Sequence, residues 1–126
     1  MSFEFLIDSH AWIEYYLGDN ISLKLIIETK KIAVPIIVLA ELSDKFTREN
    51  EDFNILLKFI NSRAKIIPMN AEIAVESGKF KNTMRKKHKQ FGIADAVIYI
   101  TSKYYGMNLV SGDPHFKGLD NVEFIS

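Results

Sequence analysis

Phe3-Glu4-Phe5-Leu6-Ile7-Asp8-Ser9-His10-Ala11-Trp12-Ile13 decides the reading of this chain. Residues 3–7 are aromatic or branched apart from Glu4 and read as a strand. A carboxylate follows at once. Ser9 is placed to cap a helix whose apolar positions Trp12, Ile13, Tyr16 and Leu17 keep helical spacing. The result is a βα unit with Asp8 at the carboxyl end of its strand, the edge at which open α/β sheets bind ligands.

Outward from that unit, the same alternation repeats. Gly18-Asp19-Asn20 is a stop and turn, and Asn20 or Ser22 opens a short helix through Leu23, Ile26 and Ile27. A strand follows at Ile32-Ala33-Val34. Pro35 fits the first turn of a helix running to about Arg48. That helix begins apolar nearly all round, with Ile36, Ile37, Val38, Leu39, Ala40 and Leu42, and is expected to be buried on several sides. A helix over Glu51 to Asn61 leads to a strand at Ala64-Lys65-Ile66-Ile67, ended by Pro68. Asn70 or an adjacent residue caps a long helix through Ile73, Ala74, Ser77 and Phe80. Gly92 precedes another over Ile93 to Tyr105, which Gly106 closes as a left-handed cap. Strands are expected at Met107–Val110 and Val122–Ile125, with Ser111-Gly112-Asp113-Pro114 as a turn between them. Short strands alternating with helices call for an α/β fold with a parallel sheet flanked by helices. Residues 1–126 are expected to form a single domain.

Composition excludes several classes. The 126 residues are 48% apolar, enough for a core without staples. There is no cysteine, hence no disulfide and no thiolate metal site. No run approaches the roughly 18 apolar residues of a membrane span. Glu4 and Asp8 argue against a signal peptide, so a cytoplasmic address is expected. Sixteen basic residues balance sixteen acidic ones, but the charge is unevenly placed. Between Ser77 and Ala94 lie Lys79, Lys81, Arg85, Lys86, Lys87, Lys89 and His88, with no acid. Such a run is either a solvated face or a phosphate-binding surface, and it ends just before Asp95.

Four acids carry the chemistry. Asp8 ends a buried strand, where an unpartnered carboxylate costs several kcal/mol. Glu41 lies in an apolar stretch, with five apolar residues before it and Leu42 after. Asp95 sits among small residues in Ala94-Asp95-Ala96, and Asp113 follows a strand end. Each has an ordinary reading: an Asx turn or cap, a paired helix position, a first-turn acid favoured by the helix dipole, a Gly-Asp-Pro turn. Their shared topology outweighs those readings. Asp8 and Asp113 follow parallel strands at one sheet edge, and Glu41 and Asp95 lie on helices entered from that edge. Clustered carboxylates raise one another's pKa and stay ionised only beside a compensating cation. An all-oxygen set suits Mg²⁺ or Mn²⁺ rather than zinc. His10, His88 and His115 are available as bases, although isolated histidines are more often structural or solvated.

These residues resemble a known family. Asp8-Ser9, Ala40-Glu41-Leu42, Ala94-Asp95-Ala96 and Ser111-Gly112-Asp113, followed by Pro114-His115-Phe116, are similar to the acidic signature of PIN-domain ribonucleases, and the layout from Phe3 to Phe124 is most like the VapC toxins of VapBC toxin–antitoxin modules. The resemblance implies a three-layer α/β/α fold with a mostly parallel sheet, metal-dependent endonucleolytic cleavage of RNA leaving a 5′-phosphate, a homodimer, and inhibition by a small VapB-like antitoxin. It implies Asp8, Glu41, Asp95 and Asp113 as ligands of one or two Mg²⁺ or Mn²⁺ ions, with Ser111 and Ser9 supporting them through hydrogen bonds. Lys79, Lys81, Arg85, Lys86, Lys87 and Lys89 are the foremost candidates for RNA phosphate contacts, and Lys45 and Arg48 the second choice. Trp12, Tyr15, Tyr16, Phe46 and Phe53 are candidate antitoxin anchors. A processing nuclease of the same family, without an antitoxin, is the main alternative. A non-catalytic module would keep the fold and lose acids. Receiver-like domains need a second acid beside Asp8, and dehalogenase-like phosphatases need Asp-x-Asp, where this chain has His10.

Overall fold

The structure, a computed structural model, describes residues 3–125; residues 1, 2 and 126, included in the expected domain, lie outside the described residues. The elements in order are β1 (Phe5–Ile7), α1 (Ser9–Leu17), α2 (Ile21–Thr29), β2 (Ile32–Pro35), α3 (Ile36–Arg48), α4 (Asn54–Arg63), β3 (Ala64–Ile67), α5 (Ala71–Arg85), α6 (Ile93–Tyr105), β4 (Asn108–Ser111), a short 3₁₀ turn (Pro114–Phe116) and β5 (Val122–Phe124). The five strands form one sheet in the order β3-β2-β1-β4-β5. All four pairings are parallel. With its helices the sheet makes the three-layer α/β/α fold the sequence predicts.

The strand order follows from burial. The three middle strands carry apolar centres, as strands covered on both faces must: Leu6, Ile7, Ile32, Ala33, Val34, Leu109 and Val110 are all fully buried. The two outer strands expose Lys65 and Glu123, charges that discourage a further strand from adding at the edge. β1 pairs with β2 on one side and β4 on the other, with Ile7 opposite Val110. The chain order reverses between β1 and β4, which opens a crevice beyond their carboxyl ends.

Caps set the helix starts. Asn20 and Asn70 accept the amides of Leu23 and Ile73 at 3.0 and 2.8 Å, each worth about 1 kcal/mol. The first helix departs from expectation. Asp8, not Ser9, caps it, taking the Ala11 amide at 2.8 Å on Oδ1. One carboxylate thus both starts α1 and closes β1. Pro35 belongs to the end of β2 and precedes α3, where its missing N–H costs nothing. α4 begins at Asn54 rather than near Glu51, because Glu51 donates back to the Phe46 carbonyl and Asp52 holds the Asn54 amide.

α3 is not buried on several sides. Val38, Leu42 and Phe46 form a single buried stripe at four-residue spacing, while Ile36 is 48% exposed. Two of the aromatic residues read as partner anchors are also core: Trp12 is fully buried between Tyr15 and Phe59, and Phe46 packs on Tyr16 and Phe53. Tyr16 keeps an exposed ring; Tyr15 and Phe53 are half-buried. No helix is long and apolar enough to cross a membrane among the described residues.

Candidate active site

The crevice between β1 and β4 collects the acids. Asp8 closes β1 and is 2% exposed. Its amide donates to the Val110 carbonyl at 3.3 Å, which ties it to β4. Burial pushes the Asp8 carboxyl up to about 7; the Ser111 hydroxyl and the Ala11 amide oppose the rise, and Asp113 and Glu41 add to it. Ser111, the last residue of β4, is fully buried. Its hydroxyl oxygen accepts the Asp113 amide at 3.0 Å, so it serves the loop as well as Asp8.

Glu41 comes in from the second turn of α3. Burial raises its carboxyl, as do the charges of Asp95 and Asp113, while the Ser9 hydroxyl lowers it. Its Oε1 is shut off from solvent and has no hydrogen-bond partner among the described residues. Asp95 enters on the first turn of α6, where its Oδ2 accepts the Gly92 amide at 2.9 Å. Burial raises this carboxyl; Gly92 and His115 pull it down, and Asp113 pushes it up. Asp113 caps the 3₁₀ turn by accepting the His115 amide at 2.9 Å. The four acids thus share one electrostatic field, although they come from the two halves of the chain.

The most compact donor set is Asp95, Asp113 and His115, whose ligand atoms all lie within 4.8 Å of one another. Sequence reasoning left His115 with the isolated histidines. Its place two residues after Asp113, in a turn opened by Pro114, was the available signal. His10 lies close over Gly112: a Cβ there would stand 2.7 Å from its ring, so a side chain at that loop position would have to displace the exposed imidazole.

A divalent cation fits this arrangement. The crevice holds an orphaned carboxylate oxygen at Glu41 and three further carboxylates, and among the described residues no Lys or Arg acts on Asp8, Glu41 or Asp95. Buried carboxylates without a counter-charge favour protonation, and a cation reverses that preference.

The basic run is split by the fold. Lys86, Lys87 and Lys89 are exposed at the end of α5 and in the loop beyond, and form no ion pair among the described residues. Lys79 lies 3.6 Å from Glu76, Lys81 is half-buried, and Arg85 gives its Nε to the Phe91 carbonyl. Lys45 and Arg48 are held in helical pairs with Glu49 and Asp44.

Residues 5–122 match the family described as PIN domain. Solved structures share the fold over nearly the whole chain. A toxin–antitoxin complex from Klebsiella pneumoniae is 20% identical with a TM-score of 0.74, covering 98% of both chains. DNA-bound VapBC from Salmonella typhimurium is 18% identical with a TM-score of 0.76, covering 98% of this chain and 99% of that one. VapC20 of Mycobacterium tuberculosis, described as a sarcin–ricin loop cleaving toxin, is 15% identical with a TM-score of 0.76, covering 98% of this chain and all of that one. No curated protein matches the chain by sequence.

Proposed function

The chain belongs to the PIN domain family, and from that premise we propose that it is a metal-dependent endoribonuclease, the toxin of a VapBC-type toxin–antitoxin pair, acting as a single domain over residues 1–126. The observation that carries the proposal is the convergence of Asp8, Glu41, Asp95 and Asp113, from four separate elements, on the crevice between β1 and β4. Those four would hold Mg²⁺ or Mn²⁺. A bound divalent cation supplies charge neutralisation at the scissile phosphate and a more acidic water. The chain's own residues do the rest. Ser111 steadies Asp8 and the Asp113 loop, and Ser9 faces Glu41. Lys86, Lys87 and Lys89 supply positive charge for flanking phosphates, with Lys79, Lys81 and Arg85 behind them.

The partner half of the proposal has its own support. A groove of about 350 Å³ between α1, α2 and α4 is lined by Tyr15, Tyr16, Ile55 and Phe59, among others. Beside it Leu17, Ile21 and Leu25 are well exposed. An apolar groove of this kind takes an amphipathic helix, the mode expected of a VapB-like antitoxin. A homodimer would cover further apolar surface, such as Tyr104 and Tyr105 on α6.

The test is cleavage of a cellular RNA pool by purified protein, with Mg²⁺ or Mn²⁺, with EDTA, and with Asp95→Asn or Asp113→Asn. Discrete cuts that disappear with EDTA and with each substitution are expected. Cutting indifferent to both overturns the assignment.

A further inference from the structure

His115 is held in place from three sides. Asp113 accepts its amide at 2.9 Å, and the neighbouring Phe116 is 1% exposed, which anchors the turn in the core. Its ring meets the edge of Phe91 at 6.0 Å and lies 6.1 Å from that of His88. So fixed, the imidazole directs Nδ1 into the acid cluster, 3.4 Å from Asp113 Oδ1 and 3.6 Å from Asp95 Oδ2. Both separations exceed the roughly 2.7–3.2 Å of an N–H···O bond. That nitrogen is shut off from solvent and has no hydrogen-bond partner among the described residues, just as Glu41 Oε1 has none. Two donors bound to one ion at about 2.0–2.2 Å each stand about 3–4 Å apart, which is the spacing found here.

Resting on the metal-dependent reading above, we propose that His115 Nδ1 is an additional ligand of the divalent ion, so that the site prefers Mn²⁺ to Mg²⁺. Mg²⁺ is a hard ion that takes oxygen ligands; Mn²⁺ shares that preference for carboxylate but, as a first-row transition ion, accepts an imidazole more readily than Mg²⁺ does. The nitrogen donor converts an all-carboxylate site, which accepts either ion, into one that discriminates.

The experiment loads the purified protein with Mn²⁺ and records electron spin-echo modulation, which reads ¹⁴N nuclei bonded to the ion. Wild type and His88→Gln show a histidine ¹⁴N coupling; His115→Gln does not. Titration followed by the signal of free Mn²⁺ gives an affinity about tenfold lower for His115→Gln, the lower end of losses seen when a metal site's supporting groups are removed. Competition with Mg²⁺ changes much less. His115 is 28% exposed on its side chain and keeps its amide bond to Asp113 in the variant, so the substitution leaves the turn in place while removing the imidazole. Mn²⁺ bound with no nitrogen coupling in wild type, or coupling that survives His115→Gln, overturns the ligand and leaves an all-oxygen metal site. Failure to bind Mn²⁺ at all overturns the metal-dependent reading itself.

Discussion

Replacing Asp8 by Asn should stabilise the metal-free protein at neutral pH while abolishing its activity. Burial raises the Asp8 carboxyl from 3.8 to about 7 in the folded state. Between those values the native protein holds a proton that the unfolded chain has released, so stability falls as pH rises. The rise of about 3 pKa units, at about 1.36 kcal/mol each, sets an upper figure of about 4 kcal/mol, of which about 2–3 kcal/mol is lost between pH 5 and 7. Asn removes the titration, and its amide oxygen can still accept the Ala11 N–H that starts α1. Glu41 and Asp95, also raised, tilt both proteins in the same direction, so the difference between the two slopes isolates Asp8. Urea unfolding in EDTA at pH 5, 6 and 7, followed by circular dichroism, reads the effect. Wild type should lose stability across that range by about 2–3 kcal/mol more than Asp8→Asn. Added Mn²⁺ should restore wild type at pH 7 and help the variant much less, since linkage rewards only a site that binds. Parallel slopes for the two proteins would refute the burial argument.

Other predictions follow from packing and charge. Trp12→Ala should cost about 3–5 kcal/mol in urea unfolding, because it empties a fully buried site. Trp12→Phe should cost clearly less than Trp12→Ala, since it leaves a smaller cavity, keeps aromatic bulk near Tyr15 and Phe59 and removes an indole N–H that has no partner among the described residues; equal losses for the two would sink the packing account. Changing Lys86, Lys87 and Lys89 together to Ala should lower the salt slope of single-stranded RNA binding by about 2, at about 0.7 per lost phosphate contact, and leave the melting temperature alone. An unchanged slope would place the RNA elsewhere.

Much of this molecule was legible from periodicity and punctuation. Apolar strand runs marked the middle of the sheet, and Asn20, Asn70 and Gly106 marked helix ends, because caps act over three or four residues and leave a local trace. What escaped depends on contacts distant in sequence. Whether Ile36 or Val38 faces the core is settled by what lies opposite, and an apolar stretch alone overstated the burial of α3. Ser9 and Asp8 were both competent caps; the geometry leaving β1 chose Asp8. Of the acids that converge on the crevice, Asp8, Glu41 and Asp95 stand out in one dimension as charges beside apolar or small residues, whereas Asp113 sits in an ordinary Gly-Asp-Pro turn. His115 is visible in the sequence only as one of three candidate bases and beside the last acid; its approach to Asp95, twenty residues earlier, exists only once the chain folds.

The position of β1 also governs when the pocket can exist during synthesis. It is made first, acquires β2 within some thirty residues, and waits for β4 until residues 108–111. Asp8 and Asp113 stand 105 positions apart. At about 5–20 residues per second, translation takes about 5–20 s to span that interval. For most of it a nascent chain carries Asp8, and from residue 41 on Glu41 as well, but has no β4 on which to seat the last acid. The crevice therefore closes only after β4 and the Asp113 loop have been made. For a protein proposed to cut RNA, this strand order leaves the acid set incomplete on any chain not yet translated through β4 and the loop beyond it.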